Sequence, residues 1–97
     1  MILFDTPRPV DFRRFTTTAH MMSDRIGEEG TRELLAFGAR IGLWEHWIQR
    51  RGEPTEHFDL FDGAVDRARA CGAVEVTPRE LVLRVVFPKR AAARGEP

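Results

Sequence analysis

The sequence predicts a small α/β domain, and three observations carry that expectation. Short apolar runs alternate with amphipathic stretches in the order strand, strand, helix, strand, helix, strand, helix. Glycine and proline punctuate the joins, at Pro7, Pro9, Gly27, Gly30, Gly42, Gly52, Pro54, Gly72 and Pro88. A length of 97 residues, with 42% hydrophobic and 31% charged, suits one globular domain rather than two. Short connections and right-handed crossovers favour a single-layer, mainly parallel sheet of about four short strands packed with two to three helices. The domain is expected to span 1–87, with 88–97 as a small, basic and mobile tail.

Ile2-Leu3-Phe4, stopped by Asp5 and Pro7, reads as a buried strand. Thr16-Thr17-Thr18 leads into Ala19-His20-Met21-Met22, and three successive β-branched residues favour extended backbone. A first helix is expected from about Thr31 to Ile41. Leu34, Phe37, Gly38 and Ile41 share one helical face, with Thr31 as N-cap, Glu33 near the positive end, Arg40 in the last turn and Gly42 just beyond. Trp44, Trp47 and Ile48 fit a helical turn or a strand, with extended backbone favoured from Trp47 onward. Glu56 to Leu60 alternates as a strand does, apolar at Phe58 and Leu60. Asp62 is placed to cap a second helix running to Cys71, with Gly72 ending it and Val74-Glu75-Val76 following as a strand. Thr77-Pro78-Arg79-Glu80 has the pattern of a capping box and predicts a last helix from Pro78 to about Val86. The strand-like Leu83 and Val85-Val86-Phe87 compete with that reading.

Composition excludes several classes. Fifteen basic and 15 acidic residues cancel, which removes strong non-specific attraction to nucleic acid and makes nucleic acid the less expected partner. Cys71 is the only cysteine, so no internal disulfide framework and no all-cysteine zinc site is available. No apolar run reaches the roughly 18 residues of a membrane span. Asp5 comes too early for a secretory core, so a cytoplasmic location is expected. There is no GxxxxGK[ST] or GxGxxG loop for phosphates. Fourteen of the basic residues are arginine and only Lys89 is lysine, which favours planar, paired contacts to carboxylate or phosphate.

Polar groups gather at the expected strand ends: Asp5, then Ser23 and Asp24, then His57 and Asp59. His57 and Asp59 are two apart in a strand and so share a face. If the strands are parallel neighbours, Asp5, Asp24 and Asp59 converge on one edge, where open sheets place ligands. Imidazoles with carboxylates form the donor set of a divalent metal, so His20, His57 and Asp59 are the candidate ligands, for zinc, manganese or iron. Asp5 and Asp24 are the candidates to position water or act as base. Arg8 and Ser23 are candidates to hold an anionic ligand. Taken singly, each has a structural explanation: an Asx turn at Asp5, a turn cap at Asp24, a hydrogen-bonded core histidine at His20. Phe12 and Phe15 flank Arg13 and Arg14 as a short aromatic–basic patch, read as a solvated loop with anchoring aromatics.

Several blocks together resemble a known family. They are Asp5-Thr6-Pro7-Arg8, His20-Met21-Met22-Ser23-Asp24, Glu33 to Leu43, His57-Phe58-Asp59, Gly72-Ala73, Val76 and Glu80-Leu81. In order and approximate spacing they resemble the small bacterial and phage proteins of the domain of unknown function 4031 family. The resemblance implies a recurring arrangement of polar residues but no reaction. This chain departs from the family at Leu35, where a helix histidine is usual, and at Phe58, where tyrosine is usual. Both changes remove a polar group.

Two function classes follow, with a nucleic-acid accessory role through Arg13, Arg14, Arg50 and Arg51 as a weaker third. In the first, a His/Asp site binds a divalent metal (zinc or manganese) or a phosphorylated small molecule, with phosphoester hydrolysis as the reaction class. In the alternative, the chain is a non-catalytic bacterial or phage accessory module that docks a protein partner through an aromatic/arginine surface of Trp44, Trp47, Phe12 and Phe15.

Overall fold

A computed structural model describes residues 1–95; of the expected tail, residues 96 and 97 lie outside the described residues. The elements are β1 (Ile2–Asp5), β2 (Arg8–Phe12), β3 (Phe15–Ser23), α1 (Glu28–Arg40), a 3-10 turn (Glu45–Trp47), β4 (Phe58–Phe61), α2 (Gly63–Ala70) and β5 (Val74–Val76). A helical rod closes the chain as α3 (Pro78–Leu81), a π turn (Val82–Val86) and α4 (Phe87–Ala93).

The threonine-rich β3 is the centre of a five-stranded sheet. One edge of it pairs with β4, through Thr18–Phe61 to Met21–Phe58. The other edge is shared by β1, opposite Met21 to Ser23, and β2, opposite Phe15 to Thr18. All three pairings are antiparallel, and only β5, which adds to the far side of β1, pairs parallel. The sheet is therefore mixed and five-stranded, not mainly parallel with four strands. The residues responsible are Arg13 and Arg14. Their turn folds β2 back on β3 as a hairpin, and a hairpin can only pair antiparallel. Pro7 and Pro9 disguise β2 as a loop in the sequence. Proline is nevertheless tolerated on an edge strand, and a bulge between Pro9 and Phe12 absorbs the irregularity.

The two sheet faces carry separate apolar clusters. Ile2, Phe4, Ala19, Met21, Phe58 and Leu60 pack against Leu34, Phe37 and Ile41 of α1 and Ala64, Val65 and Ala68 of α2. Leu3, Met22 and Val76 point the other way and meet Leu81, Val85 and Val86 of the rod. The rod covers one end of its face, and the other end carries the polar groups described below.

Helix ends follow the sequence with three exceptions. The capping box forms as expected, with the Glu80 N–H donating to Thr77 Oγ1 at 3.1 Å and the Thr77 N–H donating to Glu80 Oε1 at 3.2 Å. Gly42 and Gly72 take the left-handed backbone that ends α1 and the turn after α2. Helix α1, however, begins a turn earlier than Thr31, whose hydroxyl instead donates to the buried Glu56. Asp62 stands at the start of α2, but its backbone is left-handed (φ 45°), and its carboxylate accepts from both N–H groups and both hydroxyls of Thr16 and Thr17. It ties α2 to β3 instead of capping the helix. The rod also runs on through Pro88 to Ala93, with Lys89 buried. Pro88 has no N–H for the carbonyl a turn back, and the wider π turn just before it accommodates that gap. No helix among the described residues is long and apolar enough to cross a membrane.

The α1–β4 contact depends on a missing side chain. A Cβ on Gly38 would stand 2.7 Å from the Phe58 ring. Gly38→Val should lower stability by about 1–3 kcal/mol through overpacking, read as a shift in the urea midpoint at unchanged slope.

Candidate functional site

The registers of β3 with its neighbours bring the histidines and aspartates together. His20 pairs with Asp59, so both side chains rise from the same face, and His57, two residues before Asp59, joins them. Asp5, at the end of β1, reaches the same spot from the opposite edge of β3. A bridge between Gln49 and His57 extends the sheet beyond β4 and fixes the residue before Phe58.

Asp5 is buried and commits both oxygens to one residue. Its Oδ1 accepts the His20 backbone N–H at 2.7 Å, and its Oδ2 lies 2.9 Å from His20 Nδ1. Burial on its own would raise this carboxyl, but the bonds from His20 and the charge of Arg8 outweigh it and hold it below the ordinary range. An ionised carboxylate only accepts, so Nδ1 of His20 carries the hydrogen and Nε2 is the open nitrogen. His57 is tethered in the same manner: its Nδ1 lies 2.7 Å from the Thr55 carbonyl oxygen, another group that can only accept. Its Nε2 is again the nitrogen left over.

Both Nε2 atoms turn toward one oxygen. Asp59 Oδ1 lies 3.4 Å from His57 Nε2 and 4.0 Å from His20 Nε2. The other oxygen of Asp59 accepts from Gln49 Nε2 at 2.5 Å, which orients the carboxylate. The rings of His20 and His57 meet edge to face, 5.3 Å between centres. The ligand atoms of His20, His57 and Asp59 all lie within 4.8 Å of one another, and all three side chains are half-buried, open to solvent on one side. Asp59 raises the His57 imidazolium above the ordinary histidine value, burial opposes this, and the Thr55 carbonyl adds to the rise. His57 in turn lowers the Asp59 carboxyl, against burial and with help from Gln49.

Arg8 is exposed, with its guanidinium 4.0 Å from Asp5 Oδ2. Ser23 and Asp24 do not join this group. Ser23 lies an odd number of residues from His20 and so faces α1, where its hydroxyl donates to Glu33 at 2.5 Å. Asp24 accepts from the Met1 ammonium at 2.8 Å, alongside Glu33. The convergence expected of Asp5, Asp24 and Asp59 therefore holds for Asp5 and Asp59 alone, because β1, β3 and β4 alternate in direction. Gln49 and the Thr55 carbonyl are the supports that the sequence does not reveal. Both are brought in by the Gln49–His57 bridge, which spans a charged loop with no strand pattern.

The chain belongs to the family described as protein of unknown function (DUF4031), which matches residues 2–87. No curated protein and no solved structure matches it. Phe58 and Leu35, where the resemblance implies a tyrosine and a histidine, fall outside the polar group. Phe58 is buried on the α1 face beside Gly38, on the opposite side of β4 from His57 and Asp59. Leu35 packs at the margin of the same apolar cluster.

Asp5→Ala leaves a part-buried N–H and imidazole without their acceptor and should cost about 1–3 kcal/mol of stability in denaturant unfolding. In an NMR titration of the metal-free protein, His57 should titrate above its ordinary value near 6.5, and Asp59→Asn should bring it down. With the raised His57 value, the pair's contribution to stability is complete below pH 6.5 or so on this limb and fades as pH rises through the folded pKa. With the lowered Asp59 value, it fades again as acid protonates the carboxylate. Asp59→Asn should flatten both limbs of the stability profile.

Proposed function

We propose that this domain holds a divalent transition metal between His20, His57 and Asp59 and binds a phosphorylated ligand there, with phosphoester hydrolysis as the reaction class. The observation that carries this reading is the double tether. Each imidazole spends Nδ1 on a fixed acceptor and presents Nε2 to a single carboxylate oxygen. Two imidazole nitrogens and a carboxylate are a donor set suited to zinc, manganese or iron(II). With bonds of about 2 Å, such ligand atoms stand about 3.3 Å apart, close to the separations across Asp59 Oδ1. Neutral imidazoles would otherwise aim lone pairs at an anion, so a cation or a proton belongs between them.

Asp5 is the outer partner of the first ligand, fixing its tautomer and direction, as carboxylates behind metal-bound histidines do. Gln49 does the same for Asp59. Arg8 offers a guanidinium on the open side for an anionic oxygen. A metal in this position would polarise a phosphoryl oxygen and lower the pKa of bound water.

Protein purified without chelators should carry close to one equivalent of metal by elemental analysis. The stripped protein should gain melting temperature with zinc or manganese, by the equivalent of about 2.7 kcal/mol at a hundredfold excess over Kd. His57→Ala should abolish both effects, and His46→Ala should leave them intact. Absence of metal in the purified protein, together with no thermal shift across zinc, manganese and magnesium, would sink the proposal.

A second reading rests on Trp44 and Trp47, 66% and 49% exposed on either side of the His46 ring. Such a pair could anchor a protein partner. Binding of that kind would disappear in Trp44→Ala and persist after metal removal.

A further inference from the structure

The face that carries His20 and Asp59 continues, one row further along, to Phe61, and a cluster of aromatic rings gathers there at the end of the sheet. Thr18 pairs with Arg8 on one side and with Phe61 on the other, so these three form the row beside His20 and Asp59. Phe61 stacks on Phe15 at 4.7 Å and on Phe12 at 5.7 Å, with the rings tilted by only 21° and 25°. The Arg13 guanidinium lies 5.3 Å from the centre of the Phe12 ring. The C-terminal rod packs on Leu3, Met22 and Val76 at the other end of this face, and Phe12 remains 45% exposed. Arg13 holds a left-handed backbone (φ 54°) at the hairpin turn, a position that ordinarily takes glycine.

We propose that Phe12, Phe15 and Phe61 take the base of a mononucleotide whose phosphate reaches Arg8 and the His20–His57–Asp59 group. The phosphate half rests on the metal-site reading, and the base half does not. Successive residues on one strand face are about 7 Å apart, so Asp59 and Phe61 are separated by roughly the reach from phosphate to base within one nucleotide. Phe12 is the exposed ring of the three, and aromatic side chains on a sheet stack bases with little preference among them. Arg8 lies in the platform's own row, beside Asp5, where a guanidinium can pair with phosphate oxygens. The basic and acidic residues of the chain cancel, so there is no strong general attraction to a long phosphate backbone, which favours a single nucleotide over a polymer.

The test is calorimetric titration of the full chain with AMP, CMP, ribose 5-phosphate and a short single-stranded oligonucleotide, each with and without one equivalent of zinc. A separate zinc titration is run alongside. AMP and CMP should bind about 5- to 150-fold tighter than ribose 5-phosphate, and Phe12→Ala should bring them to its level. Trp44→Ala should change neither. Equal affinity for AMP and ribose 5-phosphate, or a full advantage for AMP in Phe12→Ala, overturns the base platform. An oligonucleotide that outbinds AMP overturns the mononucleotide assignment. If zinc fails to bind while the Phe12-dependent advantage of AMP persists, the metal reading falls and the platform stands.

Discussion

Both oxygens of the Asp5 carboxylate go to His20, one to its backbone and one to its ring. This bidentate contact organises the polar end of the sheet. An ionised carboxylate with so little access to water is costly unless its lone pairs are filled, and β3 fills them with an N–H and an imidazole. In return the ring of His20 loses its freedom to rotate or change tautomer. The contact exists because Pro7 interrupts the chain just after β1. The break lets β1 and β2 share one edge of β3, and it leaves Asp5 at the junction, turned inward.

Strand alternation does the rest. On β3 and β4 the residues of one parity, Ala19, Met21, Phe58 and Leu60, fill the core under α1 and α2. Those of the other parity, Thr18, His20, Asp59 and Phe61, are paired across the opposite face. A slip of one residue in this register would put His20 into the core and Met21 into solvent. The close fit of Phe58 over Gly38 opposes such a slip from the apolar side. Packing on one face thereby maintains the arrangement of charges on the other.

The sequence made part of this legible. The i, i+2 spacing of His57 and Asp59 places them together on any strand, and the capping box at Thr77 is specific enough to override the β-branched run that follows it. The apolar stripe of Leu34, Phe37 and Ile41 likewise identifies the buried side of α1. Strand direction was not legible. Alternating helices and strands suggest parallel order, but Pro9 and an Arg-Arg turn hide a hairpin whose only sequence trace is alternation too short to recognise. Nor could Asp62 be distinguished from an ordinary helix cap, because its partners lie on β3, more than 40 residues earlier in the chain. Ser23 and Asp24 follow from the same limitation: once the direction of β3 is known, they fall on the α1 face and at the far end.

The β3–β4 pairing has a kinetic corollary. His20 and Asp59 are 39 residues apart in the chain, and the segment between them contains α1 and the charged loop that carries Gln49 and Thr55. Helix α1 can form from local contacts, but the two strands can meet only after that long loop closes. The histidine pair therefore depends on that closure, and no local element can assemble it alone.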